Sequence, residues 1–405
     1  MELYLPLILD GATGTELQKR GFRGDIAAEQ WVLDHPDTIL EIQRGYADAG
    51  SDVLYSPTFG GNRVKLEESR IFNRTEEINE RLALLSKKAA AGHALVAGDL
   101  APTGLFTVPL GDATFDELVE IYSEQVAGLE RAGVDLYVIE TMMTISDARA
   151  ALTAVRNLTD KPVLVSFTCD ENGKTITGSD AEAALVILQS MGASAFGLNC
   201  SVGPEDLVPT FQRLRRYARV PLAAKPNAGK PELVDGKTVY RCEPEQFAAC
   251  VPAYAASGVQ LFGGCCGTDA RFIRVLREAV MKETMVPPCP EYTDKLICAT
   301  EKHVFEIDPS AACGRILVPG PELADSIDAE NASPDPFISV RLNTLEDAEL
   351  LTDEIYELEK PLCIVCDDAG VLEYMLKAYN GRALYDGSLP EETLSRLRDR
   401  YGLIT

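Results

Sequence analysis

The chain has 405 residues, 46% of them hydrophobic and 25% charged, the range of a folded globular protein and enough for a barrel of about 250 residues plus a smaller unit. Its formal net charge is −25, and residues 301–405 carry 22 acidic against nine basic side chains, which argues against nucleic acid as a partner. No stretch approaches the roughly 18 apolar residues of a membrane span, and Met1–Ile8 lacks the basic start of a signal peptide, so a cytoplasmic protein without a membrane partner is expected.

In chain order, eight short β-rich runs alternate with amphipathic segments. The runs are Leu5–Asp10, Val53–Thr58, Ala94–Asp99, Leu136–Glu140, Val163–Thr168, Ala195–Asn199, Pro221–Pro226 and Val259–Gly263. Over Phe115–Gly133 the residues Phe115, Leu118, Val119, Tyr122, Val126 and Leu129 fall on one helical stripe, and Asp269–Lys282 reads as an eighth helix. Eight strand-then-helix units predict an α/β fold, a (β/α)8 TIM barrel over residues 1–283, with a doubly wound open sheet as the alternative. In a parallel barrel every strand ends at one face, where active sites lie. Asp10, Thr58, Asp99, Glu140, Thr168, Asn199, Cys200, Asn227, Cys265 and Cys266 stand at those ends, while interiors such as Tyr137-Val138-Ile139 are apolar. Any single polar end can equally be a helix cap or a turn former.

Eleven cysteines in a reducing compartment are expected to be free thiols, so spacing must single out those with a role. Cys265 and Cys266 sit in the frame Phe262-Gly-Gly-Cys-Cys-Gly-Thr268, whose glycines allow a tight, positive-φ path, and Cys200 ends the sixth strand one strand away. Three thiolates on a zinc ion leave one tetrahedral position for a substrate. A metal site and buried structural thiols both remain open on this pattern. Cys363 and Cys366 form a C-x-x-C, but the two-residue strand period sends them to opposite faces, against a redox role. Cys169, Cys242, Cys250, Cys289, Cys298 and Cys313 show no partner pattern and read as small buried or surface residues.

Seven motifs together resemble the homocysteine S-methyltransferase family. They are Asp10-Gly-Ala-Thr-Gly-Thr15, Pro57-Thr-Phe-Gly60, Gly98-Asp-Leu-Ala-Pro-Thr-Gly104, Glu140-Thr141, Gly197-Leu-Asn-Cys-Ser201, Lys225-Pro-Asn-Ala-Gly-Lys-Pro231 and the double-cysteine frame. Gly203-Pro204-Glu205 and Gly236-Lys-Thr-Val-Tyr240 are most similar to the homocysteine module of cobalamin-dependent methionine synthases. The resemblance implies zinc on Cys200, Cys265 and Cys266, with Asn227 an oxygen ligand before substrate arrives. It also implies that Asp10 and Glu140 hold the homocysteine ammonium, and that the backbone near Gly11 and Thr58 receives its carboxylate. One departure is Pro57 before Thr58, where the family often has asparagine and where proline offers no backbone donor.

Residues 284–305, with Pro287, Pro288 and Pro290, read as a linker. Residues 306–405 read as a small α/β unit: strands Ile316–Val318, Phe337–Leu342, Leu362–Cys366 and Ala383–Tyr385, helices Thr344–Leu358 and Gly370–Tyr379. From Lys360 to Leu384 this unit resembles an abridged piece of the pterin-binding barrel of methionine synthases, too short for a folate site and serving for packing or for docking a methyl-carrying protein. The expected activity is methyl transfer to homocysteine, giving methionine, with zinc as cofactor and a methylated corrinoid on a separate protein as donor. The alternatives are an S-methylmethionine- or betaine-type donor, to which Trp31, Tyr55, Phe59 and Phe106 would offer aromatic faces, and a non-catalytic, zinc-stabilised thiol-binding scaffold.

Overall fold

The computed structural model describes residues 4–108, 110–200, 202–234, 237–292, 294–311 and 313–405, with Lys237 as backbone only. Ser201 and Gly236, which belong to two of the motifs above, lie outside the described residues. Eight parallel strands form one sheet: β1 (Leu7–Ile8), β2 (Val53–Tyr55), β3 (Leu95–Leu100), β4 (Leu136–Met142), β5 (Val163–Phe167), β6 (Ala195–Asn199), β7 (Leu222–Lys225) and β8 (Val259–Phe262). From β2 to β8 each strand pairs with the next, and β1 pairs with β8 through Leu7–Leu261 and Ile8–Phe262, which excludes the open doubly wound sheet.

The seam between β1 and β2 carries no ladder pair among the described residues, and polar groups close it instead. The Asp52 amide donates to the Ile8 carbonyl (2.6 Å), and the Asp52 carboxylate accepts from the Ile8 amide (2.8 Å). Asp10 Oδ2 accepts from the Tyr55 amide (2.8 Å), one rung further up. Two aspartates thus replace backbone partners that β1 is too short to supply.

The two-residue strand period explains the two sides of the barrel wall. Leu7, Leu9, Val53, Tyr55, Ala97, Leu136, Val138, Leu164, Ala195, Ala223 and Leu261 fill the interior as one cluster drawn from all eight strands. The alternate residues meet the helices. The helix Phe115–Ala132 starts at Thr114, whose side chain accepts the Glu117 amide (3.1 Å), and buries the expected stripe except Val119, which is half-buried.

The span read as a linker is corrected from Leu296 onward: Leu296–Ala299 and Val304–Ile307 pair as an antiparallel hairpin. Its Ala299 exchanges backbone bonds with Arg382, and its first strand packs on the helix Ala181–Ser190. The C-terminal strands Ile316–Leu317, Ile338–Arg341, Leu362–Val365 and Leu384–Asp386 form a parallel sheet in chain order. The helix expected over Thr344–Leu358 runs Leu345–Asp353 and ends in a 3-10 turn at Ile355–Glu357, and two further helices appear, Leu323–Asn331 and Glu391–Tyr401.

This unit lies directly on the barrel. Every residue from Ile145 to Val155 in the helix Ile145–Leu158 is buried, so that helix has no solvent face along most of its length. Its Arg149 donates to the carbonyls of Leu376 and Lys377 and to Asn380 Oδ1 at the end of the helix Ala369–Ala378. Helix C-terminal carbonyls lack intrahelical donors and carry partial negative charge, which suits a guanidinium. Burial pushes the Arg149 pKa down to about 10, and the Phe115 ring lies 5.3 Å from its guanidinium carbon. Among the described residues, no helix is long and apolar enough to cross a membrane.

Candidate metal centre

Cys200 follows β6 directly and takes φ +62°, a left-handed conformation that costs a residue with a Cβ about 1–2 kcal/mol. Its amide donates to the Lys225 carbonyl (3.2 Å), and its carbonyl accepts from the Val202 amide (2.7 Å). After β8, the Cys265 amide donates to the Pro226 carbonyl (2.7 Å) and the Cys266 carbonyl accepts from the Ala228 amide (2.9 Å). These bonds zip the β7 and β8 loops together. Of the three glycines in the frame only Gly267 has positive φ, at +85°; Gly263 and Gly264 serve by close approach, since a Cβ there would lie 2.8 Å from Leu9 Cβ and 2.5 Å from Thr268 Oγ1.

The outcome is a cluster: the sulfurs of Cys200, Cys265 and Cys266 all lie within 4.8 Å of one another, with Cys200 and Cys266 4.0 Å apart. Hydrogen bonds from Cys200 and Cys265 draw the Cys266 thiol well below the usual range, and bonding to Cys265 and Cys266 pushes Cys200 up. Three ionised sulfurs this close repel, so full ionisation calls for a cation between them. The buried Asn227 Oδ1 has no hydrogen-bond partner, and the two backbone bonds that tie Pro226 and Ala228 to the cysteines bracket it. Three sulfurs this close match the donor preference of zinc and leave its fourth position open, and Asn227 carries an unsatisfied oxygen on the adjoining loop.

Below the sulfurs lies a buried charged layer. Asp99, Glu140, Ser166, Asn199 and Lys225 continue the inward phase of Ala97, Val138, Leu164, Ala195 and Ala223, and all five are buried. Lys225 Nζ lies 3.1 Å from Asp10 Oδ1, 4.0 Å from Glu140 Oε2 and 4.2 Å from the centre of the Tyr55 ring. Burial works against the Lys225 ammonium, but Asp10 and Glu140 more than offset it and hold its pKa above the usual lysine range. Burial pushes Glu140 up to about 7 and Asp10 above its ordinary value, each opposed by Lys225; burial and then Glu140 raise Asp99 further. One oxygen on each of Asp99 and Glu140 has no hydrogen-bond partner, and Asp10 Oδ1 is held by the Lys225 ion pair. Three carboxyls therefore face a single internal cation.

Asn199 braces this layer. Its Oδ1 accepts from the Thr141 amide and Ser166 Oγ, both at 2.9 Å, and its Nδ2 donates to Thr141 Oγ1 (2.7 Å). These bonds hold Thr141 at φ +59° beside Glu140. Gly11 lies on the loop after β1 against the Tyr46 ring, whose hydroxyl donates to the Ala12 carbonyl (2.7 Å). Thr58 is buried and its amide donates to the Ser56 carbonyl (2.8 Å), so that donor is engaged within its own turn. Trp31 and Tyr55 are buried, whereas Phe59 and Phe106 are exposed.

Lys225, Asp99 and Asn199 carry more of the site than their sequence positions announced. The signal was the strand phase: in Leu222-Ala-Ala-Lys225, Lys225 shares the side of Ala223 and must point inward, where only ionic partners can hold it. A cavity of about 690 Å³ lies elsewhere, between Thr107–Asp116 and the helix Ala369–Ala378, and contains none of these residues.

A sequence model of the family described as Homocysteine S-methyltransferase matches residues 7–280. The methionine synthases of Mycobacterium leprae (strain TN) and Mycobacterium tuberculosis (strain ATCC 25618 / H37Rv) are each 29% identical, over 294 and 292 residues. Each match covers 68% of this chain and 24% of the relative, so the chain spans about a quarter of the length of these relatives. Among solved structures, the homocysteine methyltransferase MmuM from Escherichia coli in its oxidized form superposes with a TM-score of 0.57 at 23% identity, covering 67% of this chain and 95% of that one. Its metallated form gives 0.56 at 22% identity with the same coverage, and both support the barrel fold.

Proposed function

The chain belongs to the homocysteine S-methyltransferase family, and from that premise we propose that its barrel binds zinc on Cys200, Cys265 and Cys266 and transfers a methyl group to the sulfur of homocysteine, giving methionine. The observation that carries this reading is the sulfur trio next to a layer where Lys225 faces three carboxyls, with the unsatisfied Asn227 oxygen on the loop bonded to Cys265 and Cys266. Zinc in that trio would keep an incoming thiol ionised at neutral pH, where a free thiol of pKa about 8.5 is only a few per cent thiolate.

The chain's own residues orient the acceptor. The Glu140 oxygen that lacks a hydrogen bond and the Asp10 carboxylate, which shares Lys225 with it, suit its ammonium, which would add the charge that Lys225 alone does not supply. With Pro57 lacking an amide hydrogen and the Thr58 amide engaged by Ser56, the backbone at Gly11 is the side left for its carboxylate. The acceptor sulfur then forms a bond to the methyl carbon as the donor–carbon bond breaks, and no histidine stands at a strand end to be needed for proton transfer.

For the donor, the reading is a methylated corrinoid on a separate protein. Phe59, Phe106, Ile176 and Leu233 are exposed on the loops after β2, β3, β5 and β7, and apolar side chains on several loops around one mouth suit a macromolecular partner. Zinc-edge X-ray absorption with and without homocysteine tests the acceptor site: one added sulfur at about 2.3 Å is expected. An unchanged sulfur count favours the non-catalytic scaffold. Turnover with methylcobalamin-loaded protein, S-methylmethionine and betaine as donors then separates the remaining readings.

A further inference from the structure

We propose that Cys313 and Cys363 are an oxidative modification site, at which a peroxide converts the thiol pair into a disulfide tying the entry of the C-terminal parallel sheet to its third strand. The two sulfurs lie 3.1 Å apart although 50 residues separate them in sequence. Ser339, which faces Cys363 in the ladder, donates its hydroxyl to the Cys313 carbonyl, so a strand between them fixes the geometry from both sides. Approach by about 1 Å reaches the 2.05 Å of an S–S bond. Neither thiol belongs to the sulfur trio of the barrel. Cys366, the C-x-x-C neighbour of Cys363, turns its sulfur to the Asp368 carbonyl (3.2 Å), away from this pair.

The two partners are unequal in a way that orders the chemistry. Cys313 is half-buried, whereas Cys363 is fully buried and its thiol is pushed up by that burial. The Cys313 thiolate attacks hydrogen peroxide, the O–O bond breaks, hydroxide leaves, and Cys313 becomes a sulfenic acid. The Cys363 sulfur then attacks that sulfur; the S–S bond forms, the S–O bond breaks, and the oxygen leaves as water with the Cys363 proton. Two electrons pass from the pair to the peroxide, and a thiol reductant returns them.

The test uses the full chain, zinc-loaded, treated with hydrogen peroxide, alkylated and digested with trypsin without reduction. A linked pair of peptides, residues 303–315 with residues 342–377, is expected, with fragment ions placing the bond at Cys363 and dithiothreitol removing it. Cys366→Ser should keep the link and Cys313→Ser should abolish it. A link from Cys313 to Cys298 or Cys366, a sulfinic acid at Cys313 without a link, or two reduced thiols at a dose that oxidises the exposed Cys289 each overturn the proposal. Because the readout is the linkage itself, it stands whether or not the zinc reading survives.

Discussion

Cys200 joins a strained backbone to the proposed role as a metal ligand, and the two can be separated by substitution. Glycine relieves the φ of +62° and removes the sulfur, whereas alanine at Cys265 removes a sulfur without relieving strain. Both variants should lose bound zinc in elemental analysis. In chelator-treated protein, Cys200→Gly should match or exceed the parent by about 1 kcal/mol in urea unfolding, while Cys265→Ala should not gain. Lys225→Met leaves Asp10, Asp99 and Glu140 without their cation, and a loss of about 3–5 kcal/mol is expected in the same measurement. The three cysteines were legible as a candidate group because they stand at the ends of two strands of one barrel, whereas Asp10 and Glu140 were singled out by the family resemblance. Lys225 was not, because its meaning depends on which side of β7 faces inward.

At the level of elements, Asp147 fastens the loop after β3 to the helix Ile145–Leu158. Its carboxylate accepts from the Thr103 amide (3.0 Å), Thr103 Oγ1 and the Tyr122 hydroxyl (2.8 Å). Burial nevertheless pushes it up to about 6, so the fold favours its protonated form. Such a group stabilises the fold fully below its unfolded value near 4, and that stability is lost as pH rises through about 6. Asp147→Asn should be less stable than the parent at pH 4, and the deficit should shrink by roughly 2–3 kcal/mol by pH 7 in denaturant titrations. A deficit independent of pH would contradict the assignment. The eight barrel strands could be read from the sequence because each apolar run was separated by a full helical pattern. The hairpin Leu296–Ile307 could not: its turn, Glu301-Lys302-His303, carries no glycine, asparagine or proline, and it borders the proline-rich span taken as linker.

Across the whole molecule, the C-terminal unit behaves as part of the barrel's covering layer. Residues 306–405 nevertheless remain proposed as a separate unit in the sense of their own sheet and helices. Removing residues 300–405 would expose the outer faces of the helices Ile145–Leu158 and Ala181–Ser190 and strip Arg149 of its three acceptors. The truncated chain is expected to be insoluble or to lose its cooperative thermal transition by circular dichroism. A soluble barrel with an unchanged melting temperature would show that the unit is dispensable for stability and would leave docking as its role. The short first strand has a further consequence for how the molecule comes into being. Leu7 must wait for Leu261 to emerge from the ribosome before it has a ladder partner, so until then β1 is held to β2 only through Asp52 and Asp10. Nascent chains that stop short of the eighth strand would therefore lack Cys265 and Cys266 and the closed ring, and zinc uptake at the proposed site can serve as a clock for completion of the barrel.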